Sequence, residues 1–147
     1  MLIYREMKET DVEAIATLEK NIFPDAWSAR SIRETFMQTQ AMIMVAEEAD
    51  VIIGYSIIYC VMDESEIARI AVEESKRHMG VAKSLLDEMI LRLKEKGIQK
   101  ILLDVRESNV PARRFYEKYG FSQDGIRKNY YEAPKEHAIL MSKLIER

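Results

Sequence analysis

The chain reads as an α/β protein of the α+β kind: a mixed, mostly antiparallel sheet flanked by about four helices, forming one domain over residues 1–147. Three observations predict this. Two β-rich runs, Ala41–Ala46 and Val51–Met62, are joined by the polar turn Glu47–Asp50, the pattern of a hairpin. From Ile67 to Phe121, strand-like and helix-like segments alternate, which places one parallel pair and its crossover helix inside the sheet. After that unit, Phe121–Ile126 and Ala138–Leu144 read as two closing strands.

The elements follow in order. Leu2–Tyr4 is a short apolar run and a first strand. Thr10-Asp-Val-Glu13 has the spacing of a capping box, and Val12, Ile15, Ala16 and Leu18 continue at helical intervals. Pro24 forces Phe23 out of the helical region, so Phe23-Pro-Asp-Ala-Trp27 is a loop. Ser28 caps a second helix that carries Ile32 and Phe36. Ile67–Val72 is a mostly apolar strand with Arg69 inside it. A polar turn and Gly80 then lead into a helix with Leu85, Leu86, Met89, Ile90 and Leu93 on one side, closed by Gly97. Ile98–Arg106 is apolar on both faces apart from Asp104, as befits a central strand covered on two sides. Asn109 caps a helix with Pro111 in its first turn, and Gly120 ends it. Lys128-Asn-Tyr-Tyr131 reads as an aromatic loop between the closing strands.

Composition narrows the function. With 48% hydrophobic and 32% charged residues, the chain is too apolar for disorder. A net charge of −3 argues against broad nucleic-acid binding and tolerates a cationic substrate. The lone Cys60 sits in an apolar run and reads as a buried thiol. Two histidines and one cysteine without ligand spacing point to no metal. No apolar run approaches the roughly 20 residues of a spanning helix, and Met1 leads directly into a strand rather than a signal peptide. The expectation is a soluble cytoplasmic protein with no membrane contact, a monomer or weak dimer.

Two stretches carry chemistry. Strand, turn, glycine, helix places unpaired N–H groups at a helix N-terminus, where they can hold a phosphate. Gly80 keeps side chains out of the way, Ala82 is small, and Arg77 and Lys83 add positive charge. The plainer alternative is a helix start with a solvated Arg and Lys. Asn109 and Tyr116, seven residues apart, share a helix face that can lie beside an extended ligand, or serve only as cap and core.

The pattern Arg77-His-Met-Gly80-Val-Ala82, following the strand Ile70-Ala-Val72, resembles the acetyl-coenzyme A pyrophosphate loop of the GNAT acetyltransferases. Leu103-Asp-Val-Arg-Glu-Ser-Asn109 and Phe115-Tyr-Glu-Lys-Tyr-Gly-Phe121 resemble the segment of that family whose Asn meets the pantetheine and whose Tyr stands near the thioester sulfur. Phe23-Pro-Asp-Ala-Trp-Ser28, Arg127-Lys-Asn-Tyr-Tyr131 and Ala138-Ile-Leu-Met141 extend the likeness to the ribosomal-protein-alanine N-acetyltransferase branch. The resemblance implies six to seven strands with a splayed parallel pair, and direct acetyl transfer from acetyl-coenzyme A to a protein N-terminus, here a ribosomal one. It also implies a site. The cofactor-binding residues would be Ile70, Ala71, Val72, Arg77, His78, Met79, Gly80, Val81, Ala82, Lys83, Asn109 and Tyr116. Main-chain N–H groups around Ile70–Val72 would polarise the thioester carbonyl. Tyr116 would act as general acid and Asp104 as general base, with Phe23, Trp27, Tyr130 and Tyr131 walling a peptide slot.

Three positions depart from the branch. Asp104 stands where Glu is usual, one methylene shorter, which brings in a bridging water. His78 and Met79 replace the usual Gly or Gln and Arg, and Ala26 replaces a proline. For Asp104 a purely structural carboxylate is the competing reading, and for the loop aromatics it is packing. The alternatives at the level of function are a GNAT enzyme acting on a small amine and a non-catalytic acetyl-coenzyme A-binding regulatory module.

Overall fold

The computed structural model describes residues 1–146. Seven strands, β1 (Leu2–Glu6), β2 (Ala41–Glu48), β3 (Val51–Val61), β4 (Glu64–Val72), β5 (Lys100–Arg106), β6 (Ser122–Tyr131) and β7 (Glu136–Leu144), form one sheet in the order β1-β2-β3-β4-β5-β7-β6. Only β4 and β5 run parallel, and the crossover between them contains α3 (Val81–Glu95). The other helices are α1 (Val12–Ile22), α2 (Ala29–Phe36) and α4 (Val110–Lys118). Among the described residues no helix is long and apolar enough to cross a membrane.

The helices cover both faces of the sheet. Val12 and Ile15 of α1 and Ile32 of α2 pack on Ile43, Val45, Tyr55 and Ile57. On the opposite face Leu86, Met89 and Leu93 of α3 and Tyr116 of α4 pack on Ile58, Ile101 and Leu103. Gly54 of β3 sets how closely α3 approaches: a Cβ there would lie 3.0 Å from the Ala71 carbonyl oxygen and 3.4 Å from side-chain atoms of Leu85 and Val81. Gly54→Ala is therefore expected to cost about 1–3 kcal/mol of stability, the usual range for overpacking. Urea unfolding measures it, and an unchanged midpoint would mean that α3 can withdraw without cost.

Local signals hold at most junctions. The hairpin forms where expected, but with a tighter turn: Glu47 and Glu48, read as turn residues, extend β2 and pair with Ile52 and Val51, leaving Ala49 and Asp50, both with positive φ, as a two-residue connection. The Ser28 hydroxyl accepts from the Ser31 N–H at 3.1 Å and caps α2. α3 ends at Gly97 with Ile98 N–H donating to Leu93 C=O at 3.0 Å.

Two expectations fail. The capping box at Thr10–Glu13 does not form: α1 starts at Val12 after a short 3₁₀ turn. Asp11 takes over the junction, accepting from the Lys8 N–H at 2.7 Å and from both Arg5 Nη atoms at 2.8 and 3.1 Å. An ionised carboxylate with a guanidinium partner outcompetes a neutral hydroxyl, and Arg5 holds the Asp11 carboxyl below the usual range. Lys128–Tyr131 is not a loop but the end of β6. The register of β6 on β7 slips between Gln123 and Gly125 and again between Arg127 and Tyr131. Asn129, at φ 53°, donates its N–H to His137 Nδ1 at 2.9 Å. A bulge thus keeps an irregular stretch within the sheet.

The irregularity that matters most lies in β4. Ile57 and Ile58 of β3 oppose Arg69 and Ile67, so Ala68 is an extra residue. A one-residue slip exchanges the two faces of a strand. Ile67 accordingly joins the α3/α4 core, whereas Arg69 and Ala71 turn toward α1. This bulge explains how an arginine fits an apolar run. β4 and β5 pair only from Glu64↔Lys100 to Ile67↔Leu103 and separate beyond.

Candidate acetyl-transfer site

The separation of β4 from β5 opens a cleft of about 570 Å³. Its walls are Glu66–Ile70 of β4, Leu103–Arg106 of β5, Asn109, Ala112 and Tyr116 on the α4 side, and Phe23–Asp25 with Tyr130 and Tyr131 on the other. Beyond Ile67 the ladder to β5 is missing while pairing with β3 continues to Val72. Because strand N–H groups alternate in direction, part of the Ala68–Val72 backbone is left facing the gap. The splayed parallel pair that the resemblance implies is present, and the Ala68 bulge lies at its start.

Tyr116 is placed by a chain of local contacts. Gly120, at φ 95°, lets α4 close in a Schellman turn, in which Phe121 N–H donates to Tyr116 C=O at 2.9 Å and Gly120 N–H to Glu117 C=O at 3.2 Å. The same turn sets the Phe121 ring edge-on to Tyr116 at 5.2 Å, and Phe115 meets it at 5.3 Å. Tyr116 is buried, and burial raises its pKa, so the phenol keeps its proton at neutral pH. One helix turn and more away, Asn109 Oδ1 caps α4 by accepting from the Ala112 N–H at 3.2 Å and also borders the cleft.

Asp104 lines the same cleft, its side chain 20% exposed, with Arg127 Nη1 at 3.7 Å as an ion partner. Arg127 is half exposed and stacks on Tyr130, 4.8 Å from the ring centroid. Tyr131 stands edge-on to Tyr130 at 5.1 Å and under the Arg106 guanidinium at 4.4 Å. Burial, followed by the Asp104 charge, pushes the Tyr131 hydroxyl up to about 12. Arg106 also donates to the carbonyls of Glu132 and Pro134 at 3.1 and 3.0 Å, fastening the turn after Tyr131.

The remaining residues singled out in the sequence lie elsewhere. His78, Met79, Gly80, Val81, Ala82 and Lys83 form the start of α3, with Gly80 at φ 81° and no side-chain cap. Ser84 N–H bonds Gly80 C=O at 3.0 Å, so the amides of Val81, Ala82 and Lys83 have no helical acceptor. A Cβ on Gly80 would meet nothing within 4 Å, so space is open in front of these donors. Two of the cations near this end have protein partners: Arg77 Nε donates to Val72 C=O at 3.0 Å, and Lys83 pairs with Asp87 and lies over Tyr119. Ala71 and Val72 are buried in the cores and do not border the cleft. Trp27 is half-buried, packs with Phe23 against the α1/α2 core and lines a separate depression with Ser28, Ser31 and Tyr59. Cys60 is half-buried away from the cleft, its thiol pushed up by burial. Among the described residues no group of His, Cys, Asp and Glu is arranged to hold a metal.

The sequence reading overlooked Glu19, which is fully buried. Its signal is a carboxylate seven residues after Val12 and four after Ile15, on the apolar face of α1.

Comparison with known proteins agrees with this geometry. The model of the acetyltransferase (GNAT) family matches residues 12–121. The ribosomal protein bS18-alanine N-acetyltransferase of Haemophilus influenzae is 35% identical over 145 residues, 97% of this chain and 98% of that one. A putative enzyme of the same name from Bacillus subtilis is 32% identical over 138 residues, 93% and 91% of the two chains. The crystal structure of the ribosomal-protein-S18-alanine N-acetyltransferase from Escherichia coli superposes with a TM-score of 0.92 at 27% identity, covering 100% of this chain and 96% of that one. A bulged fourth strand, its separation from the fifth, and relatives that align nearly end to end lead to one assignment: the chain belongs to the GNAT family of acetyltransferases.

Proposed function

We propose that the chain transfers the acetyl group of acetyl-coenzyme A to the α-amine of a protein N-terminus, that of a small-subunit ribosomal protein beginning with alanine. The observation that carries this reading is the cleft between β4 and β5, open toward α4 on one side and walled by Phe23, Tyr130 and Tyr131 on the other. Such a passage lets two substrates enter from opposite ends and meet at the splay. The relatives' acceptor, an alanine N-terminus of a ribosomal protein, is the source of the acceptor identity proposed here.

The residues present suit the cosubstrate. The free amides at the start of α3 would hold its pyrophosphate, and Asn109 would border its pantetheine arm. Acetyl-coenzyme A supplies the acetyl group as a thioester. The backbone N–H groups of β4 that face the gap donate to the carbonyl oxygen as negative charge develops there. Asp104, directly or through one water, takes the proton from the attacking amine, and Tyr116 gives a proton to the departing sulfur. Cys60 does not border the cleft, so the chain offers no thiol there for an acyl-enzyme route.

Asp104→Asn tests the base. A peptide α-amine titrates near pH 7.7–8.0, so below that range most acceptor is protonated and needs help, and above it most is neutral. The variant should lose about tenfold or more in kcat/KM at pH 6.5 and converge on wild type near pH 9. A loss that is equal at both ends assigns Asp104 a structural role. For the function as a whole, free coenzyme A release is followed with an alanine-initiated ribosomal peptide and, separately, with spermidine and an aminoglycoside. Turnover with the peptide alone is expected, and turnover confined to the small amines would replace this reading.

A further inference from the structure

The first half of the loop Phe23–Trp27, Phe23–Asp25, forms part of the cleft wall, yet the loop is short, lies on the surface and includes the exposed residues Pro24, Asp25 and Ala26. Its position is fixed from beneath. Glu19, on the last turns of α1, is fully buried. Its Oε1 accepts from the backbone N–H of Trp27 at 2.9 Å, and its Oε2 accepts from the Tyr55 hydroxyl on β3. Arg69 Nε stands 3.4 Å from the same Oε2, an ion pair without hydrogen-bond alignment. The guanidinium of Arg69 then reaches outward. It lies 3.9 Å above the Phe23 ring, and its Nη2 donates to the Asp25 carbonyl at 3.1 Å and to the Asp25 carboxylate at 3.2 Å.

We propose that Glu19 and Arg69 are positioning residues for the acceptor, holding the Phe23–Trp27 loop against the sheet at the one place where the Ala68 bulge turns β4 toward α1. The proposal rests on the reading of this side of the cleft as the acceptor entrance. Three features support it. A buried carboxylate is costly unless paired, and here Glu19 accepts from two hydrogen-bond donors, on the α1–α2 loop and β3, and faces an ion partner on β4. Arg69 reaches the loop only because the bulge reverses the face of β4 that carries it; without the extra residue it would point into the α3/α4 core. The planar fork of arginine stacks on one loop residue while bonding another, which fixes the loop's orientation as well as its distance. Neither side chain touches the start of α3, their partners lie on the α1–α2 loop and β3, and replacing the Arg69 side chain leaves the main-chain N–H groups of β4 in place, so the pair acts through the acceptor side of the cleft.

The test uses two variants of the full chain, Glu19→Gln and Arg69→Met. Glu19→Gln keeps the size and removes the charge. Arg69→Met keeps apolar contact over Phe23, and its site is partly open to solvent, so it carries the test if the first variant fails to fold. The acceptor is whichever substrate wild type acetylates; absence of peptide turnover therefore counts against the proposed function and leaves this measurement in place. Both variants are expected to raise KM for the acceptor about tenfold while kcat at saturation and KM for acetyl-coenzyme A stay within about threefold. A readout independent of activity is at hand, because Trp27 is the only tryptophan in the chain. Acrylamide quenching of its fluorescence should rise roughly twofold in each variant as the loop loosens. Unchanged quenching with an unchanged acceptor KM would overturn the proposal. So would a proportional loss for both substrates, which marks a role in general stability only.

Discussion

Tyr116→Phe should lower kcat by about 10²–10⁴ while leaving the melting temperature near that of wild type. The ring keeps its edge-on contacts with Phe115 and Phe121, and the Schellman turn that places it uses only main-chain groups and Gly120. The hydroxyl alone is lost. Burial holds the proton on this phenol, so the residue enters each turnover ready to donate. A free thiol titrates near 8.5, below an ordinary phenol, which in water would make the transfer unfavourable. A leaving thiolate in the same cleft is desolvated as well, and the imbalance shrinks. Stopped-turnover and melting measurements on one preparation check the split. A loss in kcat below about threefold would leave Tyr116 with a packing role.

Gly80→Asp should weaken acetyl-coenzyme A binding by about 100-fold or more. Two unit charges 4 Å apart near a protein surface repel by about 4 kcal/mol, more than enough for that factor. The backbone cost is smaller and separable. Gly80 sits at φ 81°, where any side chain is disfavoured, although a Cβ there meets no neighbour within 4 Å. Gly80→Ala carries that strain without the charge and should retain most of the affinity. Calorimetry on the pair decides: equal loss in both means that the loop conformation matters and the charge does not, whereas no loss in either removes the start of α3 from the cosubstrate site.

The fold was readable because most of its signals are local. A hairpin between two β-rich runs, glycines after α3 and α4, an Asn cap and the alternation of strands and helices each act within a few residues, and each holds, although the hairpin turn is two residues shorter than its polar stretch suggested. The failures come from contacts that residue spacing alone does not show. Thr10 lost its cap to Asp11 because Arg5, in the strand just before the helix, is brought back by the turn to supply a charged partner. Tyr130 and Tyr131 joined β6 because bulges absorb the irregular residues that suggested a loop. For the site, Asp104, Tyr116, Asn109, Ile70, Phe23, Tyr130 and Tyr131 meet around one cleft, although they come from five stretches of chain. Trp27 belongs to the same loop as Phe23 but faces another depression, a distinction that depends on backbone direction and not on composition. Glu19 and Arg69 were hidden for a related reason. A charged residue inside an apolar pattern shows that something pairs with it, without showing what, and the Ala68 bulge that brings the two together leaves no mark in the residue types around it.

The central claim, acetylation of a ribosomal N-terminus, is tested most directly on intact proteins. Ribosomal small-subunit proteins are prepared from cells lacking this chain and incubated with acetyl-coenzyme A and the purified protein, and their intact masses are compared with untreated controls. The account predicts that a protein with N-terminal alanine gains the mass of one acetyl group, placed on its α-amine by fragmentation, and that Tyr116→Phe abolishes most of the gain in the same time. No mass change in any of these proteins, while the same preparation acetylates spermidine or an aminoglycoside, would contradict it.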